Sequence, residues 1–317
     1  MKRILITGAA GYIGSRLARF LAEKPEVEHV AGVDVRVPLS LPDKFAFAEH
    51  DVRDSMESIL KEHAIDTVVH AAFVLTPIHD TALMEDININ GTRSVLESCR
   101  AAGISQILYL SSATAYGFHP DNQCPLTEES PLRGNEDFTY SKSKRIIEGI
   151  VGDFADRNPG ITVTVVRPCN VVGPGFDNPV SHHFEGWIVV LPKDVKPLQF
   201  VHEDDLIEII YRLLDKKASG AFNVTADGTV KPGEMVRMLG NIPVFLPYRL
   251  LNFLNRTAWF LRLRFLTEFP SPAMDMLRYS WDVSCDKLIA TIGYRCRYTS
   301  RQAFEDYARS FRQNPKR

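Results

Sequence analysis

Tyr140 and Lys144 are the side chains of this sequence whose types and spacing most clearly suggest chemistry. They are four positions apart, so on a helix they lie on the same face. A tyrosine hydroxyl ordinarily loses its proton near pH ~10, and a neighbouring cation lowers its pKa by favouring the phenolate. Such a tyrosine can act as a general base on an alcohol. Ser111 and Ser112 lie at the end of a predicted strand, and a hydroxyl there could bind the same alcohol oxygen.

A glycine-rich turn near the start of the chain provides the second motif. Gly8, Gly11 and Gly14 stand between a predicted strand and a predicted helix, where backbone amides can bind a pyrophosphate. Their spacing differs from the G-x-G-x-x-G pattern, and an ordinary tight turn is the alternative. Asp34 ends the second predicted strand, where its carboxylate can accept both hydroxyls of a ribose. Arg36 could instead pair with a ribose phosphate, which keeps NADP open beside NAD.

The elements that position these motifs follow from the pattern of apolar residues. β-Branched runs alternate with amphipathic stretches, which is typical of a parallel sheet with crossover helices. We predict strands at residues 2–7, 29–35, 67–71, 106–111 and 162–167, and helices at residues 13–22, 55–62, 81–102 and 139–157. The strands are almost continuously apolar, as expected where helices cover both faces of a sheet. The sequence therefore predicts an α/β fold with a doubly wound parallel sheet, a Rossmann domain.

We place this domain at residues 1–172 and a smaller, irregular substrate domain at residues 173–317. Several prolines between residues 168 and 197 interrupt the strand and helix rhythm and mark the boundary. Segments near residues 198–215 are predicted to return to the first domain.

The composition excludes several classes of protein. A chain of 317 residues can bury a core without disulfides or metals. With 37 Lys and Arg against 39 Asp and Glu, the net charge is -2, which gives no broad cationic field for nucleic acid. Five scattered cysteines without a C-x-x-C pair indicate reduced thiols, no bound metal and a cytoplasmic location. We expect no signal peptide and no membrane span.

Residues 245–266 are rich in Leu and Phe and also carry four arginines. One interpretation is a basic amphipathic helix that lies on a membrane surface. The more ordinary interpretation, which we favour from the sequence, is a helix that covers the second domain while its arginine stems extend to solvent.

Taken together, the motifs resemble the extended short-chain dehydrogenase/reductases, in particular the NAD-dependent sugar epimerase/dehydratase family with its UDP-glucose 4-epimerases. The resemblance covers nearly the whole chain. Besides the two motifs above, it is carried by Asp51-Val52, Ala71-Ala72-Phe73, Asn88-Ile89-Asn90-Gly91-Thr92, the segment from Ser112 to Gly117, the segment from Arg167 to Pro174, and the segment from Phe200 to Asp205.

The resemblance implies NAD as the cofactor and a role for each matched residue. Ser112, Tyr140 and Lys144 correspond to the catalytic set. The implied cofactor contacts are Gly8, Gly11, Tyr12, Ile13, Gly14, Asp34, Arg36, Asp51, Val52, Ala71, Ala72, Phe73, Asn88, Ser111, Tyr140, Lys144 and Pro168. Substrate contacts are expected from Ser112, Thr114, Asn170, Lys193 and Lys196. A homodimer through the helices at residues 81–102 and 139–157 is also implied.

The chain departs from the family where a nucleotide sugar would bind. Residues 175–199 form a shorter segment than nucleotide-sugar enzymes usually have, and Leu198-Gln199 replaces Arg-Asp. Within this segment Lys193 and Lys196 could meet the charge of a diphosphate, and His182 and His183 could assist them. The acidic pair of the dehydratases is Ala113-Thr114 here, which makes dehydration less favoured.

From these residues we predict an NAD-dependent epimerase of a nucleotide sugar. The alternative is an NAD(P)-dependent oxidoreductase of an apolar or small alcohol or ketone, similar to the 3-beta-hydroxysteroid dehydrogenases and aldehyde reductases. A non-catalytic, cofactor-sensing protein is a third possibility, but it would not need the Ser112, Tyr140 and Lys144 set.

Overall fold

A computed structural model describes residues 3–38, 45–76, 79–263 and 266–313. Its strands are β1 (Arg3–Thr7), β2 (His29–Asp34), β3 (Phe45–Glu49), β4 (Thr67–His70), β5 (Gln106–Leu110), β6 (Thr162–Pro168), β7 (Asn170–Val172), β8 (Ile188–Pro192), β9 (Phe200–His202), β10 (Gly220–Val224) and β11 (Ile242–Leu246). Seven of them form one parallel sheet in the order β10-β6-β5-β4-β1-β2-β3. Two small parallel pairs, β11-β8 and β7-β9, lie outside it.

The helices are α1 (Tyr12–Ala22), α2 (Glu57–Glu62), α3 (Thr81–Glu85), α4 (Gly91–Ala102), α5 (Thr139–Arg157), α6 (Pro179–Glu185), α7 (Glu203–Asp215), α8 (Pro232–Met238), α9 (Tyr248–Phe260), α10 (Asp275–Arg278), α11 (Asp286–Ile292) and α12 (Ser300–Gln313). A π-helical turn, Asp86–Asn90, joins α3 to α4, and 3-10 helices occupy Ala113–Tyr116 and Ser271–Met274. The predicted helix at residues 81–102 is therefore continuous but changes its pitch in the middle.

Helices cover both faces of the large sheet. Within β1, Ile4 and Ile6 belong to a core with α1, α7 and α11, whereas Leu5 belongs to a core with α2, α4 and α5. This division follows from the alternation of side chains along a strand. The predicted doubly wound α/β fold is confirmed.

Two strands of the sheet were not predicted from the sequence. β3 lies at one edge, and its five residues are all at least partly exposed, although four of them, Phe45-Ala46-Phe47-Ala48, are apolar. So short an apolar run does not distinguish a strand from a helical segment. β10 lies at the other edge and begins with Gly220. Because β10 pairs with β6 and α7 packs against α1, part of the C-terminal half completes the sheet domain.

A separate apolar core holds the smaller C-terminal part together. It contains large buried side chains from several elements, among them Phe176, Phe184, Leu191, Phe200 and Phe304. All five cysteines are unpaired. Across the described ranges, no helix combines the length and the apolar character needed to cross a bilayer.

Candidate active site

The glycine turn between β1 and α1 is packed so closely that side chains are excluded. Gly8 has φ 73°, in the left-handed region, and a Cβ on it would lie 2.7 Å from the backbone nitrogen of Ala72. A Cβ on Gly14 would lie 2.1 Å from the carbonyl oxygen of Gly8. Gly11 precedes α1 without a side-chain cap, so the first amides of the helix face the turn as donors for an anion.

Asp34 completes a cradle beside this turn. Its carboxylate is only 8% exposed and accepts hydrogen bonds from the amides of Ala10 and Arg36, each at 3.0 Å. The Arg36 side chain is 73% exposed, with Nε 3.8 Å from Asp34 Oδ1. A nicotinamide dinucleotide requires amide donors for its pyrophosphate and, next to them, a carboxylate that accepts from its ribose hydroxyls. The residues therefore fit NAD.

The other residues expected along the cofactor are held by their neighbours. Arg53 Nη2 binds Asp51 at 2.7 Å, and this bonding lowers the pKa of the Asp51 carboxyl. Val52 lies against Gly91, where a Cβ would come within 2.8 Å of Val52 Cγ2.

Asn88 lies in the π-helical turn and binds the backbone of Val74 twice, at 2.8 and 3.3 Å. It thereby fixes the loop that carries Ala71, Ala72 and Phe73. Ile13 packs against the core of the sheet, and Pro168 ends β6.

Tyr140 lies in the first turn of α5, beside the hydroxyls that follow β5. Its ring meets that of Phe73 edge to face, with the ring centres 5.2 Å apart. Burial raises the pKa of the Tyr140 hydroxyl, and the nearby hydroxyls of Ser112 and Thr114 oppose this rise in part. Thr114 Oγ1 is itself buried without a hydrogen-bond partner among the described residues. Ser112 Oγ also accepts the amide of Thr114 at 3.2 Å, which fixes its orientation. Ser112, Thr114 and Tyr140 therefore form one cluster.

Lys144 lies one helical turn beyond Tyr140 and is almost fully buried. Its Nζ donates to the carbonyl of Leu110 at 2.9 Å and to the hydroxyl of Tyr109 at 3.3 Å. The same atom lies 3.9 Å from the centre of the Phe73 ring but 6.0 Å from that of Tyr140. In this arrangement burial keeps the pKa of Tyr140 above its ordinary value, and the Lys144 charge does not contribute the lowering that the sequence predicted.

Glu148 and Arg167 form a buried ion pair behind the cluster, and the sequence analysis missed the role of Glu148. Arg167 donates to the Glu148 carboxylate through Nη2 at 2.6 Å and through Nε at 2.8 Å. Ser111 Oγ donates to the same carboxylate at 2.5 Å. The hydroxyl of Ser111 is thus engaged by Glu148, whereas that of Ser112 faces Tyr140. The spacing of four residues from Lys144 to Glu148 was the signal available in the sequence.

Glu203 joins the glycine turn to the C-terminal half. It is fully buried and accepts hydrogen bonds from the hydroxyl of Tyr12 and, at 3.2 Å, from the amide of Gly175. Burial raises the pKa of the Tyr12 hydroxyl far above its ordinary value. Arg16 Nη2 lies 2.9 Å from the same carboxylate. A Cβ on Gly173 would lie 2.4 Å from the Glu203 side chain, so the turn after β7 closes directly onto it.

The residues predicted to bind substrate do not all lie together. Asn170 Nδ2 donates to the carbonyl of Gln199 at 3.0 Å. Lys196 lines a cleft of about 560 Å³, whereas Lys193 follows β8 and is not part of its lining. The cleft also contains Arg278, a cation that the sequence analysis did not single out. Its full lining is His119, Pro120, Asn122, Asp194, Val195, Lys196, Arg278, Tyr279 and Ser280.

The state of Lys144 gives a prediction about stability and pH. Burial lowers the pKa of its amine to about 7, from 10.5 for a free lysine side chain. Between these values the unfolded chain binds the proton more strongly than the folded chain, so stability rises with pH. We expect the free energy of unfolding to rise by up to ~1.4 kcal/mol per pH unit in this window, relative to Lys144→Met. Urea unfolding at several pH values measures how the free energy of unfolding of each protein changes with pH. Equal slopes for the unchanged protein and Lys144→Met would contradict the prediction.

Comparison with known proteins agrees with this geometry. The model of the NAD dependent epimerase/dehydratase family matches residues 4–225. An uncharacterized protein of Mycobacterium tuberculosis (strain ATCC 25618 / H37Rv) is 28% identical over 322 residues, which cover 97% of this chain and 84% of that protein. A UDP-glucose 4-epimerase of Lactobacillus helveticus is 30% identical over 200 residues, which cover 61% of this chain and 59% of that enzyme.

The fold is also that of solved enzymes. The crystal structure of a UDP-glucose 4-epimerase of Thermotoga maritima with UDP-glucose matches with a TM-score of 0.78 at 22% identity, covering 98% of this chain and 99% of that one. A dTDP-glucose 4,6-dehydratase of Bacillus anthracis in complex with NAD gives the same TM-score at 19% identity, covering 99% and 97%. Since the family model covers most of the sequence, including the glycine turn and the Tyr140 cluster, the chain belongs to the NAD dependent epimerase/dehydratase family.

Proposed function

We propose that this protein is an NAD-dependent epimerase of a nucleotide sugar, with Tyr140 as the general base. The observation that carries the proposal is the cluster in which the Tyr140 hydroxyl meets the hydroxyls of Ser112 and Thr114, one helical turn from Lys144. This cluster follows the carboxyl ends of parallel strands, where ligands bind in open α/β sheets. We also propose that the protein acts in the cytoplasm and forms a homodimer.

Each residue of the cluster has one task in the proposed reaction. Tyr140 takes the proton of a secondary alcohol, and Ser112 hydrogen-bonds the alcohol oxygen and holds it toward Tyr140. Lys144 binds the ribose next to the nicotinamide. NAD, when bound, supplies the hydride acceptor and donor that no side chain can provide. The ketone must then turn within the site before its reduction from the other face, and Tyr140 returns the proton.

The cleft beside Lys196 is the proposed place for the diphosphate of the substrate. Lys196 and Arg278 both line it, and a diphosphate needs such cationic partners. This choice replaces the pair of Lys193 and Lys196 considered from the sequence with a pair that shares one cleft.

A thermal-shift experiment tests this substrate class. With NAD present, UDP and UDP-glucose at a hundredfold excess over their dissociation constants should stabilise the protein by about 2.7 kcal/mol. Lys196→Ala and Arg278→Ala should each weaken the shift, while Lys193→Ala serves as the matched control and should not. Chromatography of the incubated UDP-glucose should then show its 4-epimer.

Other outcomes of this screen would change the proposed substrate. A shift with a steroid or another apolar alcohol, and none with any nucleotide, would replace the epimerase with an oxidoreductase. A shift with dTDP-glucose, and none with UDP or UDP-glucose, would keep a nucleotide sugar as substrate and assign it a nucleoside other than uridine.

Asp34 is expected to make the protein prefer NAD over NADP. Its carboxylate lies beside the glycine turn and would repel the additional phosphate of NADP while accepting the ribose hydroxyls of NAD. We expect Asp34→Ala to lower the ratio of NAD affinity to NADP affinity. Arg36→Ala should leave NAD affinity nearly unchanged, since the Arg36 side chain is mostly exposed. Titration of both cofactors by fluorescence measures the ratio. Tighter binding of NADP to the unchanged protein would assign the leading role to Arg36.

A further inference from the structure

The helix α9 presents a broad apolar surface to solvent. Leu250, Phe253, Leu254 and Phe260 are 47%, 66%, 48% and 82% exposed, and Leu261 follows them at 56%. Their spacing of three, four and seven residues places them on one side of the helix. Within α9 only Ala258 is buried. A contiguous exposed apolar patch of this kind usually marks an interaction surface. As favoured from the sequence, α9 packs on the smaller part of the chain, against β8 and the 3-10 helix Ser271–Met274, and its arginines are exposed, but much of its apolar side also faces outward.

Arginines border this apolar surface. Arg249 and Arg256 each precede an exposed phenylalanine, Phe253 and Phe260, by four residues, a spacing that places each pair on the same side of the helix. Arg262 follows the helix and is also exposed. The sequence from residue 245 to residue 267 contains four arginines and no Asp or Glu. The surface is thus apolar in the middle, cationic at its border and free of opposing charge along this segment.

The opposite side of α9 fixes the orientation of the helix. Asn255 Nδ2 donates to the carbonyl of Phe269 at 3.1 Å, and the hydroxyl of Tyr248 donates to Asp275 Oδ1 at 2.8 Å. Trp259 stacks on His79, with ring centres 4.3 Å apart. The helix is held by its polar and aromatic inner side, and the phenylalanines of its outer side are presented together.

We propose that α9 docks the protein on a lipid bilayer that contains anionic headgroups. An amphipathic helix with arginines beside an apolar face binds in the interfacial plane, with its phenylalanines among the acyl chains and its arginines at the phosphates. This inference goes beyond the proposed function and does not depend on it.

Charge favours a bilayer over a second copy of this chain. A two-fold contact through α9 brings the same patch of both chains together. Arg249 and Arg256 would then face an apolar and cationic surface whose own segment carries no carboxylate. A bilayer with anionic lipids supplies the missing negative charge as well as an apolar phase.

Flotation of the full chain with vesicles tests the proposal. We expect binding to vesicles of phosphatidylcholine mixed with phosphatidylglycerol, and much weaker binding to phosphatidylcholine alone. Each arginine near a charged surface contributes roughly fivefold, so Arg249→Glu with Arg256→Glu should weaken binding at least ~25-fold. Phe253→Ser with Phe260→Ser should weaken it by ~100-fold or more. Arg301→Glu with Arg309→Glu, which changes the net charge equally on α12, should change it little.

Several results would overturn the inference. These are no flotation with either vesicle, equal flotation with both, or an equal loss with the α12 control. Sedimentation velocity addresses the second copy, since a dimer that Phe253→Ser with Phe260→Ser converts to a monomer would assign α9 to self-association. Unchanged NAD binding shows that the variants are folded. If the phenylalanine variant does not fold, flotation of Arg249→Glu with Arg256→Glu, compared with the α12 control, still tests the proposal.

Discussion

Replacement of Tyr140 by phenylalanine is expected to lower turnover by roughly 10²- to 10⁴-fold, the usual contribution of a general acid or base. The change deletes one hydroxyl and keeps the ring that packs against Phe73, so the fold and most of the NAD affinity should remain. Turnover is measured as conversion of a nucleotide sugar to its epimer, and NAD affinity by titration.

The matched control for this prediction is Tyr211→Phe. The ring of Tyr211 lies on α7 against Phe20 and the ammonium of Lys24, away from the Tyr140 cluster. Tyr211→Phe removes a hydroxyl at this distant position and should leave turnover unchanged. A Tyr140→Phe enzyme that kept most of its activity would exclude Tyr140 as the base and would direct attention to Ser112.

Replacement of Arg167 by methionine is expected to lower the free energy of unfolding by about 3–5 kcal/mol. Both members of the ion pair of Arg167 and Glu148 are almost fully buried, with side chains 7% and 3% exposed. Removal of one partner leaves a buried charge without compensation, which is the costly way to break such a pair. Urea unfolding measures the change.

Two further variants separate burial from charge. Arg157→Met breaks an ion pair with Asp153 whose side chains are 75% and 71% exposed, and it should have little effect on stability. Arg167→Met combined with Glu148→Gln should recover part of the loss, because no unpaired charge remains. If Arg167→Met costs no more than Arg157→Met, the ion pair does not support the site in the way described.

Regular apolar spacing explains which parts of the fold the sequence could predict. Ile147, Val151 and Phe154 of α5 are buried at helical spacing, and the predicted bounds of this helix agree with the observed ones. β3 was not predicted because its apolar run, Phe45-Ala46-Phe47-Ala48, is too short to distinguish a strand from a helical segment. For α9 the sequence indicates an amphipathic helix, but it contains no information on which side other elements cover.

The sequence likewise predicts some parts of the candidate site and not others. The glycine turn, Asp34 and the Tyr140 cluster are local motifs, and their residues lie near one another as expected. Contacts between distant segments are different. Nothing in the sequence near Lys196 indicates that Arg278 shares its cleft, and two lysines three positions apart need not face the same space. Long-range packing decides such pairs, and it is visible only in the folded chain.

The junction at Glu203 has a consequence for how this sequence can evolve. Tyr12, Gly173, Gly175 and Glu203 occupy one small volume, and a Cβ on either glycine would overlap Glu203 or Tyr12. A side chain gained at position 173 therefore requires a smaller residue at position 203, which in turn leaves the hydroxyl at position 12 without its acceptor. These four positions are expected to change together between lineages, so their covariation in an alignment would report this contact, although 191 positions separate Tyr12 from Glu203.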